Sequence, residues 1–513
     1  MLPNIRYYFK RVTACSGRLR DTQDYKVQPT KSFFLSLLAF FLLIFPLSPE
    51  EISENPQPEE KTYGTPVHED ENDGRKHYLT AITGMIFPEL TISFWCRNVI
   101  DADWAQVPLE TLAHPLERQP EFDTDYVWTN FVLHPFQGSL YYMAARNSNL
   151  NRAEALGITA LGDFLWEWFF ETTEPSLNDL VYSFLGGFAV GEMVSRLALE
   201  AEYKASPLGY ILNPPRLWTE AWSKSKPKGT VGNIHEFTVK FNVGTMHSYT
   251  KSGYSGLQDA KEIFPVYFSP DINVVYNDPY GHDSNEPYSQ FEFRFGGGIG
   301  KSAGHWRGMS SIEKYIMYDV FIFSNGMLFS RAPDFGENKD TSVGIVLDYD
   351  FKWQSLIDLA AIAPGFAFKQ RINYEKSRIE WQHHLCWNII GITDYYYFHR
   401  APSLDLSFGN DYSYLTGLKT AFLWKWVTDN GFMLEYILHA YAGYDFHMSQ
   451  QDYQSAGWEF FGFTELNLEK SLSDTISLGL GNQVYMKQTI YEEAENVFQV
   501  AYSGSLYAKV RIK

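Results

Sequence analysis

The chain has 513 residues, 45% hydrophobic, 17% aromatic and 20% charged, with a formal net charge of −19. That apolar content supports a folded protein, while a mean hydropathy of −0.27 argues against a bundle of apolar membrane helices and the acidity against nucleic acid as a partner, because phosphate recognition needs a basic surface. What remains is an aromatic-rich soluble protein or a β-barrel, whose membrane strands leave the average hydropathy ordinary.

Residues 1–48 are basic: Arg6, Lys10, Arg11, Arg18, Arg20, Lys26 and Lys31 stand against Asp21 and Asp24. They lead into an apolar run from Phe33 to Leu47, closed around Pro46. A basic segment followed by a short apolar one reads as an export signal peptide with an extended n-region, and the run is short for a spanning helix. No Cys stands directly after it to carry a lipid. Residues 49–77, with Pro49, Pro56, Pro58 and Pro66 among many acidic residues, read as a disordered linker that cannot bury a core.

Residues 78–228 are expected to form a helical domain. Asn151 with Glu154, and Ser176 with Asp179, are capping pairs that open apolar-rich segments over 152–171 and 177–203. A third segment, 135–147, begins at Pro135, which makes His134 its expected cap. Ser183, Gly187, Gly191 and Ser195 recur every four residues, a small-residue stripe that lets a neighbour approach closely. Glu192 and Arg196 read as an i, i+4 pair on an exposed face, and 213–229, rich in Pro, Trp and Lys, as a connector.

From 229 to 513 the apolar period changes from 3.6 to 2. Phe237, Val239, Phe241 and Val243 alternate with Glu236, Thr238, Lys240 and Asn242; Phe291, Phe293 and Phe295 alternate with Glu292 and Arg294; Val343, Ile345, Leu347, Tyr349 and Phe351 follow the same rule. Asp429-Asn430-Gly431 marks a hairpin turn. Roughly 12 strands result, many about 10–15 residues long, against about 5–6 in ordinary sandwiches and 9–11 for a tilted membrane strand. One face is apolar and the other carries Glu, Lys, Asp, Arg and Asn. The fold class expected is therefore mainly β with an α-helical domain: a roughly 12-stranded antiparallel outer-membrane β-barrel, preceded by a helical plug or periplasmic helical domain. A secreted soluble β-protein, with the same alternation facing an internal core, is the alternative.

The helical domain holds the most unusual residues. Asn130, His134-Pro135, Gly138, Tyr141-Tyr142 and Ala145-Arg146 are followed by Trp166-Glu167, Glu171, Asp179, Gly186-Gly187 and Gly191-Glu192. This pattern resembles the helical domain of the domain-of-unknown-function family numbered 3943, over roughly residues 100–200. The resemblance implies an uncharacterised, outer-membrane-associated envelope protein and assigns it no reaction.

Asp163, Glu167 and Glu171 would crowd three carboxylates on one helix face, which is unfavourable without partners. Asn130, His134, Tyr142 and Arg146 are the available ones, so the seven residues are expected to form a buried, well-satisfied polar network. A hydrolytic reading makes His134 a general base oriented by Glu167 or Glu171, with Ser139 or water as nucleophile. No G-x-S-x-G elbow supports it. A metal held by His134, Glu167 and Glu171 lacks an H-E-x-x-H motif, and no metal or cofactor is expected.

Elsewhere, His383 and His384 are strand neighbours that must face opposite sides. The stretch from Asp278 to Glu286 reads as a solvated loop rather than a calcium site, and Gly296-Gly297-Gly298 as a bend or bulge in a wall. Cys96 and Cys386 read as free buried thiols, while Cys15 would leave with the signal. The function expected is a structural, pore or transport-related role in the outer membrane, with lipid and the barrel-assembly machinery as partners; the alternative is an envelope lipid or cell-wall hydrolase.

Overall fold

The computed structural model describes residues 75–113, 115–123, 125–204, 206–223, 229–252, 260–301, 316–354, 357–394, 412–445 and 455–513. The expected signal peptide and all but the last residues of the expected linker lie outside these. The chain divides into two compact units at Asn233/Ile234.

The first unit is helical. Helix α1 spans Tyr78–Trp95 and continues through a π-helical turn, Cys96–Ile100, to Asp101 in the left-handed region (φ 62°). Together, Tyr78–Ile100 is a helix long and apolar enough to cross a membrane by length and composition. A short helix α2 (Leu109–Ala113) follows. A π turn, Thr129–Leu133, then runs straight into α3 (His134–Asn147). Helix α4 (Arg152–Leu165) ends in another π turn, Trp166–Phe170. Helix α5 (Leu177–Val181), a fourth π turn (Tyr182–Gly186) and α6 (Gly187–Lys204) form one continuous run, followed by α7 (Ser206–Leu212) and α8 (Pro215–Ser223).

The capping residues act as the sequence implies. The Asn151 side chain accepts from the Glu154 N–H while Glu154 accepts from the Asn151 N–H, and Ser176 Oγ accepts from the Asp179 N–H. Three expectations are corrected. His134 is no cap, because Leu133 before it is already helical and the π turn carries the helix through it. The 213–229 connector contains α8, whose Arg216 is buried between Glu202 and Glu220. Glu192 and Arg196 are buried, not exposed.

The second unit is a closed antiparallel barrel of 12 strands. They are β1 (Ile234–Ser252), β2 (Ala260–Tyr276), β3 (Phe291–Lys301), β4 (Ile316–Arg331), β5 (Lys339–Gln354), β6 (Ile357–Tyr374), β7 (Ser377–Asp394), β8 (Tyr412–Thr428), β9 (Phe432–Asp445), β10 (Gly457–Ser471), β11 (Ile476–Tyr491) and β12 (Val497–Arg511). Each pairs with its neighbours in sequence, and β1 pairs with β12 from Thr238↔Arg511 to Ser252↔Val497 to close the ring. Gly431, with φ 78°, makes the tight β8–β9 turn that its Asn-Gly sequence calls for.

Strand β10 shows how alternation sorts the two faces. Trp458, Phe460, Leu466 and Leu468 are exposed on the outside, while Glu459, Phe461, Phe463, Glu465, Asn467 and Glu469 are buried within. The lumen is thus charged, as expected, but it also holds an apolar layer that periodicity did not suggest: Phe321, Phe323, Tyr441, Phe461 and Phe463 pack together there.

Ion pairs and hydrogen bonds cross the lumen between strands that are not neighbours. Arg294 on β3 meets Glu465 on β10 at 2.9 Å. Lys419 on β8 lies 2.7 Å from Asp348 and 2.5 Å from Asp350, both on β5. The Tyr441 hydroxyl on β9 donates to the same Asp350 at 2.6 Å. Around them remains a cavity of about 170 Å³ lined by Glu236, Lys240, Glu292, His384, Lys419 and His439 among others.

Two loop-level expectations change as well. The segment after β2 is only partly solvated: Asp283 and Asn285 are exposed, but Tyr280, His282 and Tyr288 are buried, the His282 N–H donates to Ser342 Oγ at 2.8 Å, and Gln382 Nε2 donates to the Tyr280 hydroxyl at 3.3 Å. The glycine run in β3 keeps regular register with β4, so it is not a bulge there. A Cβ on Gly296 would lie 2.4 Å from the Phe321 ring, and one on Gly298 would lie 2.3 Å from the Tyr267 hydroxyl. The run exists so that those rings can lie against the wall. His384 faces Asp348 in the lumen while His383 faces outward to Thr420, as strand geometry demands. Cys96 and Cys386 are both free and buried.

Candidate functional site

His134 opens α3, where three segments converge on its ring. Glycines bring them close: a Cβ on Gly138 would sit 2.0 Å from the Ser183 carbonyl oxygen, and one on Gly187 would sit 2.8 Å from Gly138 Cα. That crossing sets Ser183 Oγ 3.4 Å from His134 Nδ1, and Asp179, one turn earlier, places Oδ2 3.6 Å from Nε2. From α4 come Asp163 and, in the π turn that follows, Glu167. One ligand-type atom from each of His134, Asp163 and Glu167 lies within 4.8 Å of the others, and all three side chains are buried. Glu167 Oε2 accepts the Ser176 N–H at 2.7 Å, while Oε1 is buried without a hydrogen-bond partner.

A strap closes this cluster. Residues 121–123 run alongside Pro175–Asn178, with Glu121 and Ser176 in a parallel bridge. The strap sets the Asp123 carboxylate to accept from Asn130 Nδ2 and, at 3.2 Å, from Asn178 Nδ2. Arg118 does not pair with the carboxylates. It donates to the backbone oxygens of Glu167 (2.8 Å), Glu171 (3.1 Å) and Thr173, capping carbonyls that the π turn leaves open.

Burial dominates the electrostatics. It lowers His134 to about 4, so the imidazole is neutral near pH 7. It raises Asp163 to about 8, against a hydrogen bond from Ser183, and pushes Glu167 and Asp179 well above the usual carboxylate range, with neighbouring carboxylates adding to the effect. Glu171 stands apart. Its oxygens accept from Trp166 Nε1 (2.7 Å) and Thr173 Oγ1 (3.0 Å), and burial raises it to about 7.

Tyr142 and Arg146 belong to a second cluster, centred on Glu192. The Tyr142 hydroxyl donates to Glu192 at 2.5 Å, and Arg152, Arg196 and Arg146 lie 3.1, 3.3 and 3.7 Å from its carboxylate. Burial opposes the charge, but Arg196, Arg152 and Arg146 override it and hold the Glu192 carboxyl below its ordinary value.

The seven residues named from the sequence therefore fall into two clusters plus Glu171, and both clusters lie within the residue span that carries the resemblance. Residues 119–210 match the family described as Domain of unknown function (DUF3943). The resemblance read from the His134-Pro135 and Gly191-Glu192 motifs holds over that span.

Among curated proteins, no match is found. Among solved structures, the chain is similar to an outer membrane channel of Pseudomonas putida F1, at 11% identity and TM-score 0.27, over 53% of this chain and 95% of that one. It is also similar to the outer membrane protease OmpT of Escherichia coli, at 7% identity and TM-score 0.22, over 55% and 99%. A third is the P. putida toluene transporter TodX, at 7% identity and TM-score 0.23, over 55% and 90%. A channel, a protease and a transporter share this likeness, so it assigns no chemistry.

The DUF3943 region itself constrains the chemistry. Ser139, named as a nucleophile, is buried and donates its hydroxyl to the Phe136 carbonyl at 2.6 Å. Glu171 does not orient His134; Asp179 is the carboxylate beside its ring. Ser183, His134 and Asp179 do fall in nucleophile–base–carboxylate order, but their residues are 1%, 6% and 2% exposed, which leaves a substrate no approach. What the cluster can do as it stands is hold a small charged species. Sequence reasoning missed Asp123, Asp179 and Ser183 here and Arg152 in the second cluster. The small-residue stripe points to Ser183 only for its size, although Asp179 and Ser183 stand one turn apart, a spacing that puts both on one helix face.

Proposed function

We propose that the chain is an outer-membrane β-barrel protein with a transport-type role whose lumen stands closed at rest. The observation that carries this reading is the lumen itself. An apolar exterior around a charged interior suits a wall between lipid and water, and an interior devoted to structure alone would favour tight apolar packing over ion pairs that must be desolvated. Arg294–Glu465, Lys419–Asp350 and Tyr441–Asp350 tie strands across the barrel, and the apolar layer around Phe323 and Phe463 fills the space between them. Passage requires this network to part. Outer-membrane lipid and the barrel-assembly machinery are the partners this reading entails, and export through an N-terminal signal is its route.

The test is conductance of the purified full chain in planar bilayers. The wild type is expected to show little steady current, and Lys419→Ala combined with Tyr441→Phe to raise it several-fold. A wide, constant wild-type pore would overturn the closed lumen. Recovery of the protein in the soluble fraction of lysed cells would overturn the membrane reading.

A further inference from the structure

We propose that His134, Asp163 and Glu167 form a binding site for one divalent transition-metal cation of the Zn²⁺ or Mn²⁺ kind. One donor atom from each lies within 4.8 Å of the other two, on side chains that are all buried. One neutral imidazole nitrogen with two carboxylates is a donor set suited to such ions and unsuited to Cu(I) or an iron–sulfur cluster. Small side-chain adjustments bring donors at this separation to metal–ligand distances of about 2.0–2.2 Å.

A second observation concerns the Glu167 side chain itself. Glu167 Oε1 is buried with no hydrogen-bond partner, while Oε2 is anchored on the Ser176 N–H. An orphaned buried carboxylate oxygen is costly, and a cation resolves it. The surroundings supply the outer support such sites have. Asp179 Oδ2 lies 3.6 Å from His134 Nε2, so it can orient an N–H on that nitrogen and leave Nδ1, 3.4 Å from Ser183 Oγ, for the metal. Asp123 adds further negative charge, held by Asn130 and Asn178. The arginine close by, Arg118, spends its guanidinium on backbone carbonyls rather than on these acids. Among the described residues, no side-chain cation is thus paired with Asp163 or Glu167, and a metal ion would bind in exchange for their protons. By contrast, the equally buried Glu192 already has three arginines around it and needs none.

The experiment uses the full chain in detergent micelles, stripped with a chelator and then titrated with ZnCl₂ or MnCl₂ while binding and melting are followed. One equivalent of one of these ions is expected to bind saturably and to raise the melting temperature. Asp163→Asn and the near-isosteric Glu167→Gln should abolish saturable binding, and Asp179→Asn should weaken it roughly 10–100-fold, the usual cost of losing a supporting carboxylate. Glu171→Gln should leave it intact. The metal-free melting of Asp163→Asn separates loss of binding from loss of folding: replacing the buried carboxyl by a near-isosteric amide should leave it unchanged or higher, while the rise on adding metal disappears. Absence of saturable binding to either ion in the wild type would overturn the site, as would binding that persists in Asp163→Asn and Glu167→Gln.

Discussion

Buried charge in the helical unit is handled in two ways, and the contrast is legible residue by residue. Glu192 is neutralised by arginines, whereas Asp163, Glu167 and Asp179 gather around one neutral histidine. Sequence spacing placed Asp163, Glu167 and Glu171 on a common face, but the helix does not last that long. After the π turn Trp166–Phe170 the chain is extended at Glu171 (φ −127°, ψ 153°), which turns that side chain to Trp166 and Thr173. Arg146 was expected to serve His134, yet it lies twelve residues further along α3, roughly 18 Å at 1.5 Å per residue. It serves Glu192 instead. The partners that complete each cluster come from segments some 40–50 residues away in sequence (Arg152 to Glu192 spans 40, His134 to Ser183 spans 49), a separation that spacing rules do not reach.

Glu171 gives a pH prediction of definite sign. Burial raises its folded value from 4.5 to about 7, with the bonds from Thr173 and Trp166 opposing. The folded form therefore holds the proton more tightly than the unfolded form, and its stabilising effect is complete below about pH 4.5 and lost as pH rises through about 7. His134, lowered to about 4, acts in the opposite sense: its contribution is complete above pH 6.5 and lost as pH falls through about 4. Glu171→Gln should make the decline in melting temperature between about pH 4.5 and 7.5 shallower without altering the acid limb, the remaining decline coming from Asp163, Glu167 and Asp179. An unchanged profile would show that Glu171 titrates as an ordinary solvated carboxyl.

At the scale of elements, the sequence was read best where geometry is periodic. Strands followed from alternation, and the starts of α4 and α5 from Asn151 and Ser176, whose side chains cap as expected. The π turns left no such mark, because an inserted residue changes no composition. Three of the four matter here: one precedes His134, another carries Glu167 and the last carries Ser183, in keeping with the frequency of π bulges at functional positions. The small-residue stripe was seen, and the structure supplies its reason at Gly187, which meets Gly138 where α3 crosses the run into α6. Gly138→Ala should force that crossing apart, costing about 1–3 kcal/mol as overpacking does and appearing as a lower melting temperature for the full chain. Gly157→Ala is the matched control, since a Cβ there meets nothing within 4 Å. Equal effects of the two would show that the crossing is slack.

For the whole molecule, alternation stated which residues face out but not what fills the inside. Glu465 and Leu466 are neighbours on β10, and the structure buries one and exposes the other. Nothing in the sequence pairs Glu465 with Arg294 across the barrel, or marks Phe461 and Phe463 as lumen residues rather than more of the outer apolar face. If the outer face meets lipid, Leu466→Arg should destabilise the inserted barrel by about 2–4 kcal/mol if that position sits near the bilayer midplane, measured as reduced recovery of the heat-modifiable folded form. Thr464→Ser, on the same face, should be neutral. Tolerance of the arginine would show that this face meets water.

The pairing that closes the barrel joins its first strand to its last, Tyr249 opposite Val500 and Val243 opposite Leu506. Both edges of the growing sheet must therefore wait. Strand β1 is synthesised early and pairs with β2, but its other side keeps a row of unmatched N–H and C=O groups until the final fifteen or so residues of the barrel arrive. Time, more than energy, is the hazard: the strand pairing that spans the most sequence, β1 with β12, is the one that removes the last adhesive surface, and such contacts form slowly. A chain cut short before β12 would lack Ala501, Tyr507 and Lys509 from its interior and would keep two open edges for as long as it survived.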